Sequence, residues 1–248
     1  MGIRDLLGDD LTGTHVFTDF DGTLSPIVGT PEQARPQHGA LDALSGLRRD
    51  GARVTVISGR PVSFLVSQLA GLDVELVGLY GLESFVGGRE LTNAEAEGWI
   101  PTVERARVSA LDNFSGTSVV VESKVLSLTV HYRSRPDLEA RVLEWARRVS
   151  VDSGLQARPA KMSVELHPPI SVDKGSAVKE RVQPGTEAVL MIGDDVGDLS
   201  AFVAVADLQA NMRALKVVVA SPELDPQVAA IADITLGSPA EVVTFLQT

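Results

Sequence analysis

Asp19 and Asp21 stand two residues apart in HVFTDFDGTLSPI (residues 15–27), with Gly22 directly behind them. The four residues from His15 to Thr18 read as a buried strand, so two like charges arrive at the mouth of an apolar element. Three other polar segments share this kind of setting: SGR (58–60), DKG (173–175) and GDDVGD (193–198). Each alone has a plain structural reading. Asp-Gly is an ordinary turn pair, SGR and GDD can be turns, and Asp173 can cap a helix. Together they sit at strand–helix junctions and carry complementary chemistry, and ligands of open α/β sheets bind beyond the carboxyl ends of strands.

If Asp19, Asp21, Asp194, Asp195 and Asp198 converge, each pair of charges about 4 Å apart costs roughly 4 kcal/mol at an effective dielectric of about 20. A cation must offset that repulsion. The donors are oxygens, and the chain has no Cys and no His cluster, which favours Mg²⁺ over zinc. Such an ion usually shares a phosphate with the protein. Lys174 and Ser58 suit that phosphate, one as a point charge and the other as a hydroxyl donor. One carboxylate can then attack phosphorus to form an aspartyl phosphate, while the second protonates the leaving oxygen and later deprotonates a water.

The elements that must position these residues follow from periodicity and turn signals. Strands are expected at 14–18, 53–58 and 74–79, with helices between them, and again near 187–193, 216–220 and 232–236. Ser238, Pro239 and Glu241 read as the start of a last helix with a capping box. The middle of the chain reads instead as αββαββ, with a tight Ser-Lys connection (123–124) between its first two strands. The expected fold class is therefore α/β: a Rossmann-like parallel-sheet core, residues 1–87 and 169–248, with an inserted α+β domain, residues 88–168. The crossings, GLESFVGG (81–88) and HPPISV (167–172), carry Gly and Pro suited to hinges.

Composition narrows the function. Net charge is −11 with no basic cluster, which argues against nucleic acid and against an anionic membrane surface. No signal-peptide stretch or apolar run of about 20 residues is present, so a cytoplasmic protein is the default expectation. Nothing in the sequence sets the oligomeric state, and a monomer would suffice.

DFDGTL, SGR, DKG and GDDVGD resemble, in order and spacing, the four motifs of the haloacid dehalogenase superfamily of phosphatases. That resemblance implies Asp19 as nucleophile, Asp21 as acid/base, and Ser58 and Lys174 on the phosphoryl group. It implies Mg²⁺ held by Asp19, the Asp21 main-chain carbonyl and Asp194, with Asp195 or Asp198 in support. It also implies that the insert is a cap of the smaller C2B type. DFDGTLSPI, VISGRP, HYR (131–133) and KMSVELHPP (161–169) extend the similarity to trehalose-6-phosphate phosphatases, across nearly the whole chain. By this resemblance Lys161 and Glu165 bind the sugar, Glu122 joins them, and Gly59, Arg60 and Glu83 complete the substrate-binding set. Residues 161 and 165, four apart on a strand, share a face.

Four positions depart from that family: Tyr80 where it usually carries His, Gly197 and Leu199 where it usually carries Thr and Glu, and His167 where its cap motif runs on to Arg. None of them removes the expected nucleophile, acid/base, lysine or first metal-binding Asp. They leave two alternatives beside hydrolysis of trehalose 6-phosphate: a phosphatase for another glycosyl or sugar phosphate, and a catalytically silent sugar-phosphate-binding regulator.

Overall fold

The structure, a computed structural model, describes residues 1–160, 162–221 and 224–248. Two compact units emerge, residues 1–91 with 172–248 and residues 92–171. In chain order, the first unit opens with α1 (Ile3–Leu7), β1 (Thr14–Thr18), α2 (Ala40–Arg49), β2 (Arg53–Ile57), α3 (Val62–Gln68), β3 (Glu75–Gly78), β4 (Glu83–Val86) and β5 (Arg89–Thr92). The second unit holds α4 (Ala94–Glu97), α5 (Ile100–Asn113), β6 (Val120–Ser123), β7 (Leu128–His131), α6 (Glu139–Ser153), β8 (Gln156–Ala160) and β9 (Ser163–His167). The chain then returns with α7 (Lys174–Arg181), β10 (Ala188–Gly193), α8 (Leu199–Leu208), β11 (Arg213–Val219), α9 (Pro226–Ile231), β12 (Ile234–Leu236) and α10 (Pro239–Gln247).

The first unit is one eight-stranded sheet in the order β12-β11-β10-β1-β2-β3-β4-β5. From β12 to β3 every pairing is parallel, and β4 returns antiparallel to β3. Alternation along the strands feeds two cores. Val16, Val54, Val56, Leu190 and Ile192 join the buried residues of α2, α3 and α10 on one face. Phe17, Ile57, Val189 and Met191 join those of α7, α8 and α9 on the other. Central strands buried on both faces therefore read as continuous Val/Ile/Leu runs, as parallel sheets require. β1 has β2 on one side and β10 on the other, so strand order reverses there, and β1 and β10 carry the first and last acidic motifs at their carboxyl ends.

Two local expectations change. GLESFVGG is no bare crossing: Glu83–Val86 pairs with β3, and β5 follows at the sheet edge. Its glycines form the hairpin turn, with Gly87 and Gly88 both at positive φ. At the start of α10, Glu241 N–H donates to Ser238 Oγ at 3.3 Å, but the Glu241 carboxylate reaches back to Gly237 N–H at 2.8 Å, one residue beyond a capping box.

The second unit is the antiparallel sheet β6-β7-β9-β8. Leu128, Val130, Val164 and Leu166 pack with residues of α5 and α6 around Trp145. Trp145 meets Phe114 edge-on at 5.6 Å and donates its indole N–H to Ser109 Oγ at 3.1 Å, so its one polar atom is satisfied. The intervening residues Glu122, Thr129, Glu165 and Arg158 stand in register across all four strands, on the opposite face by alternation. The αββαββ order of the sequence reading returns with its first helix split at Gly98 and Trp99 into α4 and α5. No helix among the described residues is long and apolar enough to cross a membrane.

His15, at the start of β1, is buried, stacked on Phe17 at 3.9 Å and bonded through Nε2 to Thr55 Oγ1 at 2.8 Å. Burial, then Arg53 and Arg181, push its pKa down from 6.5 to about 3. Above pH 6.5 it is neutral in folded and unfolded chains alike. Below 6.5 only the unfolded chain takes up the proton, so stability falls as pH drops toward 3. Between pH 7.5 and pH 5 the native protein is expected to lose about 2 kcal/mol more than His15→Leu, measured by urea unfolding at both pH values. Equal losses would remove His15 from the acid sensitivity.

Candidate active site

The site is built at the carboxyl edge of the parallel sheet. Asp19 follows the last residue of β1, and its N–H donates to Ile192 O at 2.8 Å, which carries the β1–β10 pairing one step past the strand. Asp194 follows β10 in the same way. Gly22, at φ +80°, lets the loop after β1 close on Asp194: a Cβ at Gly22 would overlap the Asp194 carboxylate. The Asp-Gly step is thus required by a close approach as well as by a turn.

Lys174 enters from the first residue of α7. Asp173 caps that helix, accepting from Ser176 N–H at 2.8 Å. The Lys174 ammonium lies 2.8 Å from Asp19 Oδ1 and 2.6 Å from Asp198 Oδ1, and all three side chains are buried. Asp198 is fully buried, and its other oxygen accepts from the N–H groups of Asp194 and Asp195 at 2.9 and 3.3 Å. One carboxylate therefore fixes both the lysine and the turn after β10. Sequence reasoning placed Asp198 with the metal and did not foresee its hold on Lys174. Asp195 is exposed and accepts from Gly197 N–H at 2.8 Å.

Charge in this cluster is unbalanced. Asp19, Asp194 and Asp198 each offer an oxygen, all within 4.8 Å of one another. Burial drives the Asp19 carboxyl well above its ordinary range, against Lys174, and Asp198 and Asp194 add to the rise. Burial, then Asp198 and Asp195, push Asp194 up to about 8. Burial opposes the charge on Lys174, but Asp19 and Asp198 hold its pKa well above the usual lysine range. A single ammonium does not neutralise this set, and no side-chain donor meets the Asp194 carboxylate among the described residues. Hard oxygen donors with surplus negative charge fit a divalent cation such as Mg²⁺.

The loop after β2 forms the adjoining wall. Ser58 is buried; its N–H donates to Val77 O at 2.9 Å, and its Oγ accepts from Arg60 N–H at 3.2 Å. Arg60 grips Asp21 with two parallel bonds, Nε to Oδ2 at 2.7 Å and Nη2 to Oδ1 at 2.8 Å, and lies 4.7 Å above the Phe64 ring. A fork of this kind orients a carboxylate as well as attracting it. Glu83, expected as a substrate ligand, accepts from Val62 N–H at 2.8 Å at the first turn of α3, and burial raises its pKa.

In the second unit, Glu165 is buried and surrounded by donors. Ser127 Oγ donates to its Oε1 at 2.7 Å, Lys124 Nζ lies 3.3 Å from the same oxygen, and Arg158 Nη1 is 3.9 Å from Oε2. Sequence reasoning missed these three residues. For Arg158 the one signal was strand register, which needs the pairing to be known; Lys124 and Ser127 lie in the β6–β7 connection, where no local pattern points to Glu165. The connection that carries Lys124 and Ser127 spans residues 124–127, longer than the expected Ser-Lys pair, and holds Val125 at φ +65°. Glu122 Oε2 is 2.8 Å from His131 Nε2. At His167, burial and then Arg158 lower the pKa, so this departure from Arg presents a neutral ring. Lys161 lies outside the described residues.

The trehalose-phosphatase family model matches residues 17–239, from the strand before Asp19 to the start of the last helix. The chain belongs to the trehalose-phosphatase family. Among members of this family, it is 34% identical to the trehalose-phosphate phosphatase of Mycobacterium leprae over 97% of its own length and 59% of the relative's. It thus spans little more than half of that longer protein. The C-terminal domain of Candida albicans trehalose-6-phosphate phosphatase superposes with a TM-score of 0.78 at 23% identity, covering 98% of this chain and 95% of that one. A haloacid dehalogenase-like hydrolase from Bacteroides thetaiotaomicron superposes with a TM-score of 0.66 at 14% identity, covering 94% and 98%. At such identities the two structures speak for the fold alone: a Rossmann-like parallel-sheet core with an inserted α+β unit.

Proposed function

We propose that the chain is a Mg²⁺-dependent phosphatase that hydrolyses trehalose 6-phosphate to trehalose and phosphate through an aspartyl-phosphate intermediate. The observation that carries this reading is the buried Asp19 carboxylate, 2.8 Å from the Lys174 ammonium and beside the Asp194 carboxylate at the sheet's carboxyl edge. Asp19 attacks phosphorus, the bond from phosphorus to the sugar oxygen breaks, and Asp21 gives that oxygen its proton. Asp21 then takes a proton from the water that cleaves the acyl phosphate, freeing phosphate and restoring Asp19. Lys174 and the 58–60 loop hold the phosphoryl oxygens as charge builds on them. Asp19, Asp194 and the main-chain carbonyl of Asp21 would hold Mg²⁺, with Asp195 and Asp198 in support. When bound, the ion would neutralise negative charge on the phosphoryl group and the carboxylates.

Sugar recognition is assigned to Glu122, Lys161 and Glu165. The donors around Glu165, Ser127, Lys124 and Arg158, fix the orientation of that carboxylate. The decisive experiment measures phosphate release from trehalose 6-phosphate, glucose 6-phosphate and an aryl phosphate, with Mg²⁺ and with EDTA. Trehalose 6-phosphate is expected to exceed glucose 6-phosphate in kcat/KM by roughly a hundredfold, and EDTA to stop all three reactions until Mg²⁺ is restored. Equal use of both sugar phosphates would favour another glycosyl phosphate, the reading that Tyr80, His167 and Leu199 motivate. Indifference to chelation would remove the metal.

A further inference from the structure

Three consecutive residues after β3 have positive φ: Leu79 at 49°, Tyr80 at 60° and Gly81 at 122°. Two of them carry side chains, and such strain persists only where the surroundings hold it. Here the hold is reciprocal. Tyr80 N–H donates to Ser58 O and Leu79 N–H to Arg60 O, both at 3.0 Å, while Ser58 N–H donates to Val77 O at 2.9 Å. The turn is strapped to the 58–60 loop, and the left-handed backbone lays the Tyr80 side chain onto it. A Cβ at Gly59 would lie 2.6 Å from both Cζ and Oη of Tyr80, so only glycine admits the phenol. The same ring has its centroid 6.0 Å from the Lys174 ammonium, at the outer reach of a cation–π contact.

We propose that Tyr80 is a positioning residue of the phosphoryl site, its ring backing both the Gly59 main chain and the Lys174 ammonium and so setting the affinity for phosphoryl oxygens. The proposal rests on the phosphatase reading above. The ring excludes water from one side of the ammonium and holds the loop whose groups face the phosphate. Its effect is independent of the alcohol esterified to that phosphate.

The test uses the full chain with Mg²⁺ and inorganic phosphate as the probe, titrated calorimetrically, alongside kcat on trehalose 6-phosphate and an aryl phosphate. Tyr80→Leu is expected to weaken inorganic phosphate about tenfold and to lower kcat on both esters by a similar factor, and Tyr80→Phe to restore binding to within about threefold of the native protein. Gly59→Ala, which displaces the ring, is expected to weaken phosphate likewise and serves if the Leu variant does not fold. Native phosphate affinity in Tyr80→Leu or Gly59→Ala overturns the proposal. So does a Phe variant as weak as Leu, which would place the effect in the hydroxyl. A native protein that neither binds phosphate nor turns over either ester overturns the phosphatase reading instead.

Discussion

Asp19→Asn is expected to abolish phosphate release, with kcat lower by at least about 10⁴-fold, while leaving a folded protein. The amide is isosteric and can still accept from Lys174 through its oxygen, but it has no anionic oxygen to attack phosphorus. The fold survives because the charge is costly where it stands. Burial raises the Asp19 pKa, and Asp198 and Asp194 crowd it with negative charge. Removing that charge in metal-free protein should leave the melting temperature unchanged or raised. Rate assays and thermal melts on the same preparation separate the two effects, and a variant turning over at the native rate would dismiss Asp19 as nucleophile.

Asp198→Asn is expected to damage both stability and catalysis. The native carboxylate accepts on both oxygens, from Lys174 on Oδ1 and from two backbone N–H groups on Oδ2. An amide has one acceptor oxygen, so its NH₂ must confront either the ammonium or the backbone donors. Because the site is fully buried, no water relieves that conflict. The expected loss is about 3 kcal/mol of unfolding free energy and roughly a hundredfold in kcat, since Lys174 and the turn bearing Asp194 are both released. Urea titration and phosphate release check the two parts. Asp195→Asn is the control: its exposed carboxylate is seen accepting from Gly197 N–H, and its loss should cost about 1 kcal/mol or less. If both variants lose the same unfolding free energy, the buried anchor has been misassigned.

Much of the core was legible because its signals are local. Apolar runs bounded by glycine gave the strands of the parallel sheet, and Asp173 and Ser238 marked helix starts that the structure retains. The αββαββ order of the insert followed from a change of period. The β4–β5 hairpin was not legible, because an edge strand is made by its neighbour and Gly-Gly reads equally as hinge or turn. α9, six residues long, offers too little periodicity to stand out.

The sequence by itself determined the chemistry available: oxygen donors without thiols, a lysine, and an acidic pair followed by glycine, because residue type sets charge and donor hardness wherever the chain goes. Only the tertiary structure decided how those groups pair. Asp198 lies beneath Lys174 instead of standing open, Arg60 forks onto Asp21, Ser127 and Lys124 converge on Glu165, and Tyr80 lies against Gly59. These partners lie 21 to 41 residues apart or sit in strained turns. Their meeting depends on parallel crossovers, strand register and positive φ angles, which no local pattern of residue types encodes.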